Sequence, residues 1–151
     1  MSNQNNFTVQ EVSWQTAQTA LSQIRLEVFV HEQQVPMHLE LDGLDEQALH
    51  LLALNHAGEA IGCARILLPA DLRPASIGRM AVIKAWRNKG VGTALLQAAV
   101  KICRQLNWKN VTLSAQTHAI GFYARAGFTL CSAEYLDAGI LHRDMMLNLS
   151  D

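Results

Sequence analysis

Residues 87 to 93, RNKGVGT, combine side chains and backbone suited to holding a phosphate group. They follow the apolar segment IGRMAV at 77 to 82 and precede a long apolar stretch, so they form a basic turn between a predicted strand and a predicted helix. Glycine lets the backbone come close to a ligand, and the first N–H groups of a helix point outward at the positive end of its dipole. The sequence therefore predicts an anion site at this turn.

Charge is distributed unevenly along the chain. Residues 1 to 75 contain nine acidic and three basic side chains, whereas residues 76 to 151 contain nine basic and four acidic ones. No Asp or Glu occurs from Leu72 to Ala133. The chain as a whole is slightly acidic and its basic residues form no known nucleic-acid motif, so we expect no nucleic-acid partner. A small phosphorylated ligand fits this pattern better.

Two common nucleotide-binding motifs do not fit the turn. A P-loop requires GxxxxGK[ST], and a dinucleotide-binding turn requires GxGxxG after the first strand. The segment GVGTAL at 90 to 95 supplies only GxG. Taken alone, it is as consistent with an ordinary helix start as with a phosphate site.

Composition predicts one globular domain over residues 1 to 151, expected in the cytoplasm. There is no apolar run of about 18 residues and no signal-peptide pattern in MSNQNNFTVQ, so we expect no membrane association. Cys63, Cys103 and Cys131 are widely spaced and form no CxxC pair, which disfavours a disulfide framework or a zinc site. No metal is predicted, although HLELD at 38 to 42 would place three potential ligands on one face if extended.

The elements around the turn predict a mixed α/β order. Apolar runs and alternation predict strands over 7–12, 48–55, 60–68, 76–83, 111–115, 128–136 and 142–149. Helical spacing predicts helices ending near residue 30 and spanning 90–107 and 118–126. Residues 31 to 47 read as a polar, acidic loop.

Two segments resemble motifs of the GNAT superfamily of N-acetyltransferases, which bind acetyl-coenzyme A. RNKGVG matches [RQ]xxGx[GA], and QTHAIGFYARAGF at 116 to 128 is similar to NxxAxxFYxxxGF. With the preceding strand they cover residues 77 to 128, about a third of the chain. VFVHEQQVP at 28 to 36 and GILHRDMML near the C-terminus resemble a bacterial subgroup that includes ElaA-like and YjcF-like proteins.

The resemblance implies an α/β (α+β) fold with a mixed, mostly antiparallel sheet flanked by helices. The sheet would splay near the end of strand 77–83 to admit acetyl-coenzyme A as co-substrate, with the β-strand backbone pairing with the pantetheine arm and the turn holding the pyrophosphate. Gln116 stands where the motif usually has Asn and keeps the amide for a coenzyme contact. The implied coenzyme-binding residues are Met80, Ala81, Val82, Arg87, Asn88, Lys89, Gly90, Val91, Gly92, Thr93 and Gln116.

The superfamily places its general acid at Tyr123. Acyl transfer to an amine passes through a tetrahedral oxyanion and expels a thiolate, and a phenol of pKa about 10 can serve a thiol of pKa about 8.5. The general base is less defined, because the strand IGRMAV lacks the Glu that many members carry there. Glu40 and His142 are the predicted candidates, directly or through water; Glu32, Asp42, Asp45 and Glu134 stay open as alternatives.

The predicted function is transfer of an acetyl group from acetyl-coenzyme A to a primary amine by direct attack. The acidic segment indicates a small, cationic acceptor. Two alternatives stay open: a non-catalytic module that binds or senses acyl-coenzyme A, and an acetyltransferase that acts on a protein lysine or N-terminus. A homodimer is a further open partner prediction.

Overall fold

The computed structural model describes residues 6–150. In this part of the chain eight strands form one sheet, in the order β1-β2-β3-β4-β5-β8-β6, with β7 paired to β8. The strands are β1 (Phe7–Val12), β2 (Leu49–Asn55), β3 (Ala60–Leu67), β4 (Ala75–Val82), β5 (Asn110–Gln116), β6 (Thr129–Leu130), β7 (Tyr135–Asp137) and β8 (Ile140–Asn148).

Four α-helices and three other helical segments connect the strands. The α-helices are α1 (Trp14–Arg25), α2 (Met37–Glu40), α3 (Val91–Gln105) and α4 (Ile120–Arg125). A π-helical segment, Leu26–Glu32, continues α1, and 3₁₀ turns lie at Lys84–Trp86 and Thr117–Ala119. α1 begins at Ser13, whose side chain accepts a hydrogen bond from the Thr16 backbone N–H at 3.2 Å and satisfies an otherwise free donor.

The pairing of β4 with β5 is parallel, whereas all other pairs in the sheet are antiparallel. The parallel ladder covers only three residue pairs and ends at Ile77 and Leu113. Beyond that point β4 contains an irregularity at Arg79, whose φ of 48° departs from the extended backbone. β4 and β5 therefore diverge after their first residues. The sheet is mixed, mostly antiparallel, open and flanked by helices, which confirms the predicted fold class.

Each face of the sheet carries one long helix. On one face α3 inserts Leu95, Ala99 and Cys103 into the main core, which also contains Val111 and Met145 from the sheet. On the other face α1 packs Leu21 and Ile24 against β2 and β3. Both helices present apolar residues at three- or four-residue spacing toward the sheet, which is the amphipathic pattern that the sequence showed.

Two predicted segments differ from the structure. Residues 128–136, expected to form one strand, form β6 and β7 separated by a bend, because the Ser132 hydroxyl and carbonyl bond to the Asp144 N–H and the Arg143 guanidinium of β8. The loop expected at 31–47 contains the end of the π-helical segment and α2. Within residues 6–150 no helix is long and apolar enough to cross a membrane; the cytoplasmic location stays a prediction.

Candidate active site

The divergence of β4 and β5 opens a cleft of about 890 Å³. Its walls come from β4, β5 and β8, the π-helical segment and the residues after it, α2, α4 and the turn between β7 and β8. Eight of the residues predicted for the site line this cleft: Glu40, Met80, Ala81, Val82, Arg87, Gln116, Tyr123 and His142. The predicted phosphate turn, residues 87 to 93, contributes only Arg87 to this lining; Asn88, Lys89, Gly90, Val91, Gly92 and Thr93 follow it along the chain and do not line the cleft.

The peptide group of Val82 points away from β3, and its carbonyl accepts a hydrogen bond from Arg87 Nε at 2.9 Å. The Ile83 N–H donates to the Ile61 carbonyl at 3.0 Å, so residue 83 bonds toward β3. Because the hydrogen-bonding direction alternates along a strand, the peptide groups of the residues before and after each β3-bonded position face the other way. In residues 6–150 β5 does not pair with this end of β4, which leaves that edge available to an extended ligand.

The phosphate turn combines two left-handed residues with a helix start. Asn88 has a φ of 63° and Gly90 a φ of 87°, and α3 begins at Val91. No side chain caps the first turn of α3. The N–H groups of Val91, Gly92 and Thr93 therefore have no acceptor within the helix and lie at the positive end of its dipole, as an anion site requires.

The backbone requires glycine at position 90 of the turn but not at position 92. Gly90 adopts a positive φ that L side chains rarely accept. Gly92 lies in the helix, and a Cβ atom there would meet only the Phe122 ring at 3.5 Å and the Val82 side chain at 3.9 Å, which are ordinary contacts. The protein itself therefore does not require glycine at position 92, whereas a ligand approaching the backbone would.

Arg87 is already held by protein groups. Its Nη1 and Nη2 donate to the two carboxylate oxygens of Glu32, each at 2.6 Å, and its Nε donates to the Val82 carbonyl at 2.9 Å. The hydrogen bonds from Arg87 lower the pKa of Glu32, and those to Glu32 raise the pKa of Arg87. The positive charge expected at the pyrophosphate is thus neutralised in part by an acid from the π-helical segment.

Tyr123 brings a phenol to the cleft from α4. Its ring makes edge contacts with Phe122 and Phe128, at centroid distances of 5.0 and 6.2 Å. Its hydroxyl donates to the Met80 sulfur at 3.8 Å. Burial raises the pKa of Tyr123 to about 12, so the phenol stays protonated at neutral pH and acts as a donor.

His142 lines the cleft, and a backbone carbonyl defines the tautomer of its neutral ring. Its Nδ1 lies 2.7 Å from the Ile140 carbonyl, which can only accept, so Nδ1 carries the proton and Nε2 keeps its lone pair in the neutral ring. The ring stacks on Tyr135 at 6.0 Å, with 21° between the planes. This contact and the hydrogen bond hold the imidazole ring in place at the cleft.

Glu40 is only 4% exposed and is bound by two guanidinium groups. Its Oε2 accepts from Arg25 Nε at 2.6 Å and from Arg79 Nε at 3.2 Å. Arg79 also donates to the Glu40 carbonyl at 2.8 Å. These bonds tie α2 to α1 and to the irregular part of β4, and they occupy one carboxylate oxygen that a base would need.

The alternative carboxylates from the sequence are also engaged. Asp45 accepts from Arg25 and Arg65, and Asp42 accepts from Arg65 in two bonds of 2.9 and 2.7 Å. Glu134 accepts from the Thr117 hydroxyl at 3.1 Å. The sequence prediction did not include Arg25 and Arg65, which bind these carboxylates. Each stands out in the sequence as a basic residue within an apolar pattern: Arg25 in the apolar stripe of α1 and Arg65 in the run CARILL.

The Gln116 amide connects two walls of the cleft. Its Nε2 donates to Gln33 Oε1 at 2.9 Å, and its Oε1 accepts from His118 Nε2 at 2.8 Å. One N–H of the amide stays available to a ligand. Within residues 6–150, no three His, Cys, Asp or Glu side chains form a group that could hold a metal ion.

The sequence also did not predict a hydrogen-bonded chain of two hydroxyl groups and a carboxylate beside His142. The Tyr135 hydroxyl hydrogen bonds to Ser114 Oγ and donates to Asp144 Oδ1. Ser114 lines the cleft. Ser114, Tyr135 and Asp144 lie on three different strands. The register of β5 and β7 against β8 brings them together.

Comparison of the chain with known proteins identifies its family. Residues 7–149 match the model of the acetyltransferase (GNAT) domain. The chain is 37% identical to protein ElaA of Escherichia coli over 130 residues, 83% of this chain and 84% of ElaA. It is 34% identical to the uncharacterized N-acetyltransferase YjcF of Bacillus subtilis over 124 residues, 82% of this chain and 86% of YjcF.

Two solved structures agree over nearly the whole chain. The crystal structure of E. coli ElaA aligns with a TM-score of 0.85 at 32% identity, covering 94% of this chain and 99% of that chain. An acyl-CoA N-acyltransferase from Pseudomonas aeruginosa aligns with a TM-score of 0.81 at 33% identity, covering 93% and 97%. The chain belongs to the GNAT family of acetyltransferases and is an acyltransferase.

Proposed function

We propose that this acyltransferase moves an acetyl group from acetyl-coenzyme A to a small cationic primary amine, with Tyr123 as general acid and His142 as general base. The observation that carries the proposal is that a buried phenol and a fixed imidazole line one cleft, between strands whose divergence leaves a backbone edge unpaired. Tyr123 belongs to the α3 face of the sheet, and His142 lies on the opposite face of β8 from the core residue Met145.

The coenzyme would lie along β4 and end at α3. The Val82 N–H would pair with an amide of the pantetheine arm, together with the Met80 backbone as the family resemblance implies, and the free N–H groups of Val91 to Thr93 suit the pyrophosphate. Lys89 adds positive charge without an ion pair among residues 6–150. Glycine at position 92 would also let a bound phosphate come close to the backbone.

Tyr123 would stabilise the leaving thiolate mainly by hydrogen bonding. The thioester supplies an activated acyl group, and its thiol has a pKa of about 8.5 in water. A phenol of pKa about 12 gives its proton to such a thiolate at a cost of about 5 kcal/mol, at about 1.4 kcal/mol for each pKa unit. Burial raises the pKa of the thiol as well as that of the phenol, so the cost inside the cleft is smaller than this figure.

His142 would take a proton from the attacking amine through Nε2. An alkylammonium of pKa about 10.4 is neutral in a very small fraction at pH 7, which corresponds to about 4.6 kcal/mol. A base that is held in place beside the amine reduces this barrier. Glu40, which the sequence also suggested, fits a positioning role better, because Arg25 and Arg79 hold its carboxylate.

The charges at the cleft favour a cationic acceptor. Glu32, Glu40 and Asp42 line it but are paired with arginines. Asp137, in the strand end before the β7–β8 turn, also lines the cleft and has no ion pair within residues 6–150. An exposed carboxylate at the entrance attracts an ammonium group and repels an acidic one.

The proposal is tested by measuring release of free coenzyme A from acetyl-coenzyme A with a panel of diamines, amino sugars, amino acids and lysine peptides. We expect acetylation of small diamines or amino sugars. Turnover only with peptides would support the protein-directed alternative instead. Tight binding of acetyl-coenzyme A without release for any amine would support the sensing alternative and overturn the proposal.

A further inference from the structure

The hydrogen-bonded chain Ser114–Tyr135–Asp144 has a fixed direction. The Asp144 carboxylate only accepts, so the Tyr135 hydroxyl donates its one proton to it. The Tyr135 oxygen then accepts from the Ser114 hydroxyl. Burial and the bond to Asp144 raise the pKa of Tyr135, so the phenol keeps that proton. Ser114 Oγ therefore has its proton committed and presents only lone pairs to the cleft.

Ser114 lies next to the proposed base. In the antiparallel pair of β5 and β8, Ser114 is opposite Asp144 and Gln116 is opposite His142. Ser114 and His142 are thus diagonal neighbours on one sheet face, a relationship that separates residues by about 7 to 8 Å. Both side chains line the cleft. The two side chains are therefore neighbours at the surface of the cleft.

We propose, on the basis of the function proposed above, that Ser114 is the acceptor-binding residue that selects primary amines, with Tyr135 and Asp144 as positioning residues. A neutral primary amine has two N–H groups and one lone pair. One N–H donates to Ser114 Oγ, the other donates to His142 Nε2, and the lone pair faces the acyl carbon.

The transfer step balances with this arrangement. The amine nitrogen forms the new C–N bond as the C–S bond breaks and its electron pair leaves on sulfur. His142 Nε2 takes one N–H proton, Tyr123 provides a hydrogen bond or a proton to the thiolate, and the second N–H stays on the amide and bonded to Ser114. A secondary amine has one N–H group, so it can donate to Ser114 Oγ or to His142 Nε2 but not to both, and it loses one of the two hydrogen bonds.

The test compares 1,4-diaminobutane with N,N′-dimethyl-1,4-diaminobutane as acceptors. In the wild-type protein we expect kcat/KM to be at least about ten-fold higher for the primary amine, the size of one hydrogen bond to a charged or reacting group. Ser114→Ala should lower kcat/KM for the primary amine about ten-fold and change that for the dimethylated one little. Ser76→Ala, a serine on β4 outside the cleft, is the matched control and should change neither.

The variant Asp144→Asn tests whether Asp144 orients the Ser114 hydroxyl through Tyr135 or only stabilises the fold. An amide at 144 can donate to Tyr135, which lets the chain reverse so that Ser114 donates into the cleft. The primary-amine preference should then disappear while the affinity for coenzyme A, measured by calorimetry, stays within two-fold. Tyr135→Phe should weaken the preference in the same direction by breaking the chain.

Binding of 1,4-diaminobutane to the complex with coenzyme A provides a readout that needs no turnover. Weaker binding in Ser114→Ala than in Ser76→Ala supports the subsite even if the wild-type protein acetylates none of the amines, an outcome that would overturn the proposed function alone. An unchanged primary-to-secondary ratio together with unchanged diamine binding in Ser114→Ala, or no diamine binding to the wild type, overturns this inference.

Discussion

The hydroxyl of Tyr123 lies 3.8 Å from the sulfur of Met80, at the edge of β4 that separates from β5. A thioether sulfur is a weak acceptor, so this contact leaves the phenol free to donate to a better one. The ring is held by Phe122 and Phe128. The phenol is therefore held in place by protein contacts, beside the edge of β4 that β5 does not pair with.

Removal of this hydroxyl tests the general acid. Tyr123→Phe should lower kcat about 100-fold or more, a typical contribution of proton donation, while the dissociation constant for coenzyme A stays within two-fold because the ring contacts remain. Stopped-flow or steady-state detection of the released thiol measures the first quantity and calorimetry the second. Unchanged turnover on an identified acceptor would rule out Tyr123 as the acid.

Replacement of His142 tests the base through the pH profile. His142→Gln should lower kcat/KM at pH 7 by about 100-fold. The loss should shrink as the pH rises toward 10, because the neutral fraction of an amine of pKa about 10.4 increases about ten-fold for each pH unit. The measurement is kcat/KM of both proteins from pH 6 to 10. A pH-independent ratio between them would indicate that His142 only shapes the cleft.

Glu32 should weaken coenzyme binding by competing for Arg87. Glu32→Gln frees the guanidinium, and we expect about three- to five-fold tighter binding of coenzyme A at low salt, the scale of an exposed ion pair. The gain should diminish at high salt. Glu27→Gln is the matched control, because it removes the same charge from the same segment without breaking a hydrogen bond to Arg87.

In calorimetric titrations, Arg87→Gln should bind coenzyme A more weakly than the wild type. The Glu32→Gln change should then have little further effect in the Arg87→Gln background. Equal gains in both backgrounds would show that Glu32 acts on the coenzyme directly.

Two glycine substitutions should separate folding from binding. Gly90→Ala should destabilise the protein by about 1 to 2 kcal/mol, because alanine is strained at a φ of 87°. Gly92→Ala should leave the free energy of unfolding equal or raise it by up to about 1 kcal/mol, since alanine favours a helix interior. Gly92→Ala should nevertheless weaken coenzyme binding about ten-fold or more. Thermal denaturation and calorimetry measure the two effects; full binding by Gly92→Ala would place the pyrophosphate elsewhere.

Asp42 should make the protein sensitive to acid. Burial raises the pKa of Asp42, but the stronger combined effect of Arg65 and the Leu44 N–H lowers it to about 2. A folded pKa below the unfolded value of about 3.8 stabilises the protein above pH 4, and this stabilisation is lost as the pH falls from about 4 to 2.

The corresponding variant is Asp42→Asn. It should lower the free energy of unfolding at pH 7 by about 1 kcal/mol, a value reduced by solvent screening of the partly exposed carboxylate, and should flatten the decline between pH 4 and 2. Urea denaturation at pH 7, 4 and 3 measures both. An equally steep decline in the variant would assign the acid sensitivity to other carboxylates.

Much of the fold and part of the site were predictable from local sequence. The phosphate turn depends on neighbouring residues, because a helix start with Gly90 before it and basic residues beside it forms from contiguous chain. The positions of most strands along the chain followed from apolar runs. The sequence prediction missed the bend between β6 and β7 and the short helix α2. The segment 128–136 was predicted as one strand because its composition does not reveal that Ser132 bonds to β8 and bends the chain.

The sequence by itself identified the family and the glycine-containing turn at residues 87 to 93 before α3. The phosphate-binding role of that turn and the catalytic roles of Tyr123 and His142 stay predictions. Only the tertiary structure decided what the other charged and polar groups do. Glu32 and Arg87 are 55 residues apart, and Ser114 and Tyr135 are 21 apart, yet each pair is hydrogen bonded. Such pairs depend on strand register and on where the π-helical segment ends, and a shift of one residue would turn each strand side chain to the other face of the sheet. Local composition carries no record of that register, because it is set by the packing of the whole core.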